Sequence, residues 1–319
     1  MKPLVLLVGT GFMATAYASV LKSLGVTTLA VGRSMERTQL FVQETGVTAV
    51  DGGINSWLER QDAMPAHAIV CTSLSTTAAS VRSLLDAGVK SILVEKPGAV
   101  CPNDLADLAR CADSAGAQVF IGYNRRFFES VRQARMRIDE EGGATSIHFE
   151  FTERERDATS GKFDTVEQSH WGLANSSHVI DLAFHLAGSP HKLHAEVAGF
   201  LPWHPGGARF VGSGVTVRGV LFSYCANWQS GGRWGVEICT PSSRIILRPL
   251  EKVHIQPRGR FDLSEIPLDA DLDTRYKPGL YRQTRAFLEG VGAEYLVPIA
   301  EQAEFARTCA KICGENLSV

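Results

Sequence analysis

Val8-Gly9-Thr10-Gly11-Phe12-Met13-Ala14 closes the first apolar run of the chain and opens a helical pattern, with the spacing GxGxxA. Glycines so placed permit a tight turn and close approach of an anion, and the helix start behind them offers unpaired N–H groups and the positive end of a dipole. The chemistry such a loop serves is binding of a dinucleotide pyrophosphate, with Gly9, Thr10, Gly11, Phe12 and Met13 as its contacts. The same string also fits a glycine turn that merely packs a helix on a strand, but its place at the head of a βαβ series favours the dinucleotide. About 20 positions on, where an acidic side chain would hold ribose hydroxyls, stands Gly32-Arg33-Ser34. A guanidinium cannot accept from those hydroxyls, whereas it and a serine hydroxyl suit a 2′-phosphate, so NADP is expected over NAD. The alternative is a solvated Arg33 and a Ser34 that only caps the next helix.

Leu93-Val94-Glu95-Lys96-Pro97-Gly98 follows the fourth strand run. Ligands of open parallel sheets bind beyond the carboxyl ends of strands, so Lys96 should reach the cofactor crevice, its direction fixed by the extended backbone that Pro97 imposes. Beside an oxidised nicotinamide its charged form is disfavoured, which suits it to relay a proton during hydride transfer. Glu95, Lys96 and Pro97, with Thr72 and Ser73 after the third strand run, complete the expected cofactor residues. A second constellation is Asn175-Ser176-Ser177-His178-Val179-Ile180-Asp181. On a helix His178 and Asp181 share a face, and an imidazole near the helix start can exchange a proton with a substrate hydroxyl. A buried, hydrogen-bonded structural histidine is the plainer alternative.

The elements that must hold these residues are legible in the apolar rhythm. Strand runs at 4–8, 28–31, 68–71, 91–94 and 118–121 alternate with helical patterns at 13–24, 35–45, 77–87 and 102–115, the signature of a doubly wound parallel sheet. From about Arg126 the pattern changes. Residues 146–153 alternate with period two, 157–169 lack periodicity and read as a mobile loop, and 177–186 read as a helix. Strands are then expected at 194–200, 215–228, 234–240, 244–247 and 252–256, an antiparallel sheet, before closing helices at 279–291 and 299–314. The fold class is α/β: a Rossmann domain over residues 1–124 and an α+β domain over 125–319, whose final helices could pack back on the first domain.

Composition narrows the classes. The chain has 319 residues, 34 acidic and 32 basic, for a net charge of −2, which argues against nucleic acid or an anionic membrane as partner. No apolar run approaches the roughly 20 residues of a membrane span, and seven scattered cysteines argue against a disulfide framework, so a cytoplasmic location is expected. His185, His191, His194 and His204 lack ligand spacing, and no metal is expected. Cys309 and Cys313 are expected to be half buried. Glu153-Arg154-Glu155-Arg156-Asp157 reads as a solvated strand end.

With both constellations in view, GTGFM, VEKPGAV, GYNRRF and HVIDLAFHLAG together resemble the glucose-fructose oxidoreductase and inositol dehydrogenase (Gfo/Idh/MocA) family over nearly the whole length. The resemblance implies NAD(P)-dependent redox chemistry on a sugar-like alcohol or ketone, with Lys96 and His178 as the catalytic residues. It also implies a homodimer or homotetramer formed through the open sheet face. Many members carry an Asp four residues before the histidine; here stands Ala174, with Asn175 as the nearest polar side chain, so that catalytic role is expected either to have moved to Asn175 or to be lost, which weakens the expectation of an inositol-like substrate. The strings YNRRFFESV, FEFTERER and KPGLYRQ are similar to a branch common in surface-polysaccharide gene sets, which implies a sugar nucleotide or activated amino sugar. Tyr123, Asn124, Arg125, Trp171 and Asp181 are the expected substrate contacts, an arginine at 125 or 126 pairing with a phosphate or, alternatively, with another domain. The aromatic stripe Phe222, Tyr224 and Trp228 fits a core or an interface better than a sugar platform. Two rival readings keep the fold: a dinucleotide-binding sensor without turnover, and a reductase of a non-sugar carbonyl or imine.

Overall fold

The computed structural model describes residues 4–316. In chain order the elements are β1 (Leu4–Val8), α1 (Phe12–Ser23), β2 (Thr27–Val31), α2 (Met35–Thr45), β3 (Ala49–Val50), α3 (Gly53–Leu58), β4 (His67–Val70), α4 (Leu74–Asp86), β5 (Ser91–Glu95), α5 (Pro102–Ser114) and β6 (Gln118–Gly122). They continue with α6 (Glu129–Glu140), β7 (Ser146–Phe151), α7 (Glu155–Ala158), α8 (Thr165–Ser169), α9 (Ser177–Ala187), β8 (Pro190–Ala198), β9 (Arg209–Thr216), β10 (Leu221–Asn227), β11 (Trp234–Cys239), β12 (Ser243–Leu247), β13 (His254–Pro257) and β14 (Ser264–Glu265). The chain closes with α10 (Asp271–Arg275), α11 (Leu280–Glu289), β15 (Val297–Pro298) and α12 (Ile299–Cys313). Two compact units result: the chain up to Asn124 together with Leu272–Glu304, and Arg125–Asp271 together with the segment from Phe305. The second unit is therefore not a contiguous block beginning at residue 125, because 272–304 is packed into the first.

In the first unit the sheet order is β15-β6-β5-β4-β1-β2-β3. All pairs are parallel except β15, which adds antiparallel to β6. Val5, Leu6, Leu7, Ile69, Val70, Ile92 and Leu93 are wholly buried, as continuous apolar strands must be when both sheet faces are covered. The order reverses between β1 and β4, the switch point at which such sheets bind ligands. β3, α3 and β15 carry too few apolar residues to show a period, and the sequence pattern misses them.

The second unit is an eight-stranded sheet of order β14-β13-β12-β11-β7-β10-β9-β8. Its neighbours are antiparallel apart from the parallel pair β7 and β10. The period-two face of β7 turns Phe149 toward α9, where it meets Phe184 at 5.7 Å, while Phe184 meets Phe222 of β10 at 5.3 Å. Phe222, Tyr224 and Trp228 are thus core. The run expected as one strand over 215–228 is broken at Gly219, whose φ of +79° turns β9 into β10. The segment expected as a loop at 157–169 holds α8, started by a capping box between Asp164 and Glu167. Among the described residues no helix is long and apolar enough to cross a membrane.

Candidate active site

The first unit builds a dinucleotide cradle at its switch point. Gly9 has φ +116°, and a Cβ there would sit 2.5 Å from the Cys71 carbonyl oxygen, so only glycine lets the β1 and β4 ends approach so closely. Gly11 differs: it is the N-cap of α1, and a Cβ on it would meet no protein atom within 4 Å. The N–H groups of the first turn of α1 therefore open onto space, with no acidic side chain in that turn to oppose an anion. A cavity of about 640 Å³ runs from this loop and is lined by Gly9, Thr10, Gly11, Arg33, Ser34, Thr72 and Ser73 among others. These residues, singled out from the sequence at scattered positions, do converge. Phe12, Met13, Glu95, Lys96 and Pro97 do not line that cavity. Phe12 is exposed, with the Lys277 ammonium 5.3 Å from its ring centre.

Arg33 and Ser34 stand at the end of β2, and Ser34, although the N-cap of α2, makes no side-chain capping bond. Its hydroxyl is not committed to the helix. Arg37, one helical turn beyond Arg33, lines the same cavity, and neither arginine has an ion-pair partner among the described residues. The sequence reading passed over Arg37; its i, i+4 spacing from Arg33 is the signal that could have found it. Thr72 shares a 3.0 Å hydrogen bond with Thr77, and Ser73 one of 2.9 Å with Thr76.

Lys96 is half-buried at the end of β5, with a cis peptide to Pro97. Its surroundings are fixed by the returning segment. The Gln302 amide donates to the Pro97 carbonyl and to the Tyr123 hydroxyl, both at 3.0 Å. Gln283 of α11, its amide oxygen turned toward the end of β6, accepts from the backbone N–H groups of Tyr123 and Asn124 at 3.1 Å. The Tyr17 hydroxyl donates to Glu95 at 2.7 Å; burial and then the Glu95 carboxylate push that phenol well above its ordinary range. Tyr123 and Asn124, expected to meet substrate, are buried within this unit, the Asn124 amide donating to the Pro278 carbonyl at 2.8 Å. Their side chains close the core at the end of β6.

In the second unit, residues Gly172–Ser176 form a π-helical turn that runs into α9. Such wide turns re-aim the side chains that follow and recur at functional sites. His178 is nearly buried on the first turn of α9, its ring 6.2 Å from that of Trp234. Asp181, one turn on, gives both oxygens to Arg126: Nε donates to Oδ2 at 2.9 Å and Nη2 to Oδ1 at 2.6 Å. Burial raises the Asp181 carboxyl and the Arg126 charge opposes that rise. Both oxygens of Asp181, an expected substrate contact, are thus engaged by Arg126. Trp171, another expected substrate contact, is 2% exposed and packed edge-on against Phe163 at 4.8 Å and Trp203 at 6.3 Å. Arg125 lies 4.8 Å over the ring of Trp234, a cation–π contact within the same unit.

In the string 153–157, read as a solvated end, Arg154, Glu155 and Arg156 are exposed as expected, but Glu153 is not. It is 7% exposed and accepts three hydrogen bonds: from Ser176 Oγ at 2.6 Å and Trp234 Nε1 at 3.1 Å on Oε1, and from Asn175 Nδ2 at 3.0 Å on Oε2. Burial pushes its carboxyl up to about 7 despite the opposing pull of its donors. Cys309 and Cys313 are fully buried, Cys313 because Gly172 and Glu315 pack against it. Among the described residues no three His, Cys, Asp or Glu side chains are grouped to hold a metal; His204 is instead paired with Glu315 at 3.2 Å.

A sheet of this order with a glycine cradle at its switch point has the form of a dinucleotide-binding Rossmann domain. Residues 4–123 match the family model GFO_IDH_MocA, described as an oxidoreductase family with an NAD-binding Rossmann fold. No curated protein matches the chain in sequence. Among solved structures the fold is shared with an oxidoreductase from Agrobacterium radiobacter in complex with NAD+, L-tartaric acid and magnesium, at 15% identity and TM-score 0.79 over 97% of this chain and 94% of that one. UDP-N-acetylglucosamine 3-dehydrogenase from Acidithiobacillus ferrooxidans is similar at 15% identity and TM-score 0.77, over 100% and 99%. Levoglucosan dehydrogenase in complex with NADH and L-sorbose is similar at 16% identity and TM-score 0.79, over 98% and 96%.

Proposed function

We propose that this oxidoreductase prefers NADP and interconverts a secondary alcohol and a ketone on a sugar derivative, of the nucleotide-activated or amino-sugar kind. The observation that carries the cofactor reading is the open space over Gly11 at the start of α1, beside a cavity lined by Gly11 and also by Arg33, Ser34 and Arg37. When bound, a nicotinamide dinucleotide supplies the site that takes up or gives the hydride. The loop N–H groups of 9–11 hold its pyrophosphate, Thr72 and Ser73 form the facing wall, and the two guanidinium groups take a 2′-phosphate. Lys96 and His178 move the hydroxyl proton, and Asn175 orients the hydroxyl through its amide. The sugar class draws support from fold neighbours whose names state UDP-N-acetylglucosamine and levoglucosan as what they act on. The open sheet face, with Val211 and Leu221 exposed, pairs with a second copy in this reading.

The test is absorbance at the reduced-nicotinamide band with NADP or NAD and a panel of nucleotide-activated sugars, with Lys96→Met alongside. A signal lost in folded Lys96→Met supports the reading. Full turnover in that variant overturns the proton role, and tight cofactor binding without turnover on any sugar favours a sensor.

A further inference from the structure

The string Lys277-Pro278-Gly279-Leu280-Tyr281-Arg282-Gln283 has no part in the reaction just proposed. It lies in the first unit, where it turns into α11 and packs across α1. Most of it is committed to that turn. The Pro278 carbonyl accepts from the Asn124 amide at 2.8 Å, Gly279 takes φ +74° and donates its N–H to Asp273 at 3.0 Å, and Arg282 donates to the same Asp273 oxygen at 2.8 Å. Leu280 is wholly buried, Tyr281 stacks on Tyr276 at 5.2 Å, and Gln283 holds the end of β6. Lys277 differs: its ammonium lies 5.3 Å from the ring centre of Phe12, a side chain 77% exposed. Phe12 is the first residue of α1, directly after Gly11, so its own N–H is one of the donors that face the open space over that glycine. Helical side chains lean toward the helix N-terminus, which brings the Phe12 ring, and with it the ammonium, to the mouth of the loop. Tyr276, next to Lys277 in the chain, donates to Ser23 at 2.6 Å at the other end of α1, about 17 Å away by helix rise. The two side chains thus run in opposite directions along one helix, and that of Lys277 runs toward the glycine loop.

We propose that Lys277 is a binding residue for a diphosphate at the start of α1. Its ammonium, held against the Phe12 ring, adds a full positive charge where the helix supplies N–H donors and a partial one. The inference rests on the reading that the glycine loop holds a dinucleotide, and adds to that loop a cation from a segment distant in sequence. Two diphosphates carry the chemistry it recognises, the pyrophosphate of the dinucleotide and that of a nucleotide-activated sugar, and the flexible four-carbon stem of a lysine serves either. A charge at this place acts on the diphosphate and not on a 2′-phosphate, so it favours NADP and NAD alike, unlike Arg33 and Arg37.

The experiment compares the whole protein with Lys277→Met, which keeps a stem over Phe12 and removes the charge, and with Lys277→Arg, which restores it. The first probe is inorganic pyrophosphate, followed through the backbone amide resonances of Gly9 and Gly11. Lys277→Met should bind it about tenfold more weakly than wild type and Lys277→Arg within about threefold, and the gap should close as ionic strength rises from about 20 mM to about 500 mM. A lysine that merely packs on Phe12 would show its effect in the melting temperature and leave these affinities and their salt dependence unchanged. Equal pyrophosphate affinity in wild type and Lys277→Met, or no binding to either, overturns the proposal. Further titrations read the source of the diphosphate. If it is the cofactor's, NADPH, NADH and ADP-ribose weaken by one common factor in Lys277→Met, while adenosine 2′-phosphate, which has no diphosphate, does not. If it is the substrate's, the cofactors are unchanged and UDP weakens. Unchanged affinity for all of these ligands, or a loss that extends to adenosine 2′-phosphate, overturns the proposal. Binding of pyrophosphate through Lys277 in a wild-type protein that takes up neither dinucleotide counts against the dinucleotide reading and for the diphosphate site.

Discussion

Replacing Glu153 by Gln should make the protein less sensitive to alkali. The folded carboxyl titrates near 7 and a free one near 4.5. Below 4.5 both states of the chain hold the proton. Between 4.5 and 7 the unfolded chain has released it and the folded chain has not, so stability falls as pH rises, by up to about 1.4 kcal/mol per pH unit. Above 7 both are ionised and the slope ends. The accumulated loss is about 3 kcal/mol, most of it between pH 5 and 8. Gln has nearly the same shape, keeps an acceptor for Ser176 and Trp234, and faces Asn175 with an amide that Asn175 can match by turning over. Unfolding free energies from urea titration of both proteins at pH 5 and pH 8 isolate the effect, because every other titrating group cancels in the comparison. The variant should gain about 2–3 kcal/mol relative to wild type on going from the lower to the higher pH. A relative stability unchanged within about 0.5 kcal/mol would show that Glu153 ionises as an exposed acid does, and would refute the burial argument.

Arg33→Ala should weaken NADP binding by roughly tenfold to a hundredfold and NAD binding within about twofold, measured by cofactor fluorescence titration, and Arg37→Ala should follow the same pattern. Gly11→Val should abolish binding of either cofactor while leaving the melting temperature within a few degrees, because its side chain enters empty space. Gly9→Ala should instead lower stability outright through its clash with the Cys71 carbonyl, read by the same thermal melt. Arg126→Ala leaves Asp181 buried without its partner and should cost about 3–5 kcal/mol in chemical denaturation.

The βαβ half was legible because its strands are unbroken apolar runs and its helices are long enough to show their period. GxGxxA then placed Gly9, Thr10 and Gly11 by local chain geometry alone. What stayed hidden depended on partners distant in sequence. Glu153 sits in a string of alternating charges, and its burial is made by Ser176 and by Trp234, residues 23 and 81 positions away. Asp181 and Trp171 looked accessible because a helix face or a motif flank does not reveal what covers it; Arg126 covers the first, Phe163 and Trp203 the second. Arg37 was hidden by its place in an otherwise ordinary amphipathic helix.

The insertion of the second sheet between two parts of the first unit matters while the chain is being made. Strand β6 is complete at residue 122, but the strand that pairs with its free edge begins at 297, and α11, which packs on α1, begins at 280. At about 5–20 residues per second of synthesis, the edge of β6 stays uncovered for roughly 9 to 35 s and one side of α1 for roughly 13 to 51 s after their own residues are joined. During that interval the nascent first unit presents an open strand edge and an apolar helix face, the features that recruit chaperones or a second nascent chain. Vectorial synthesis therefore lets the second sheet finish before the sheet of the first unit is complete.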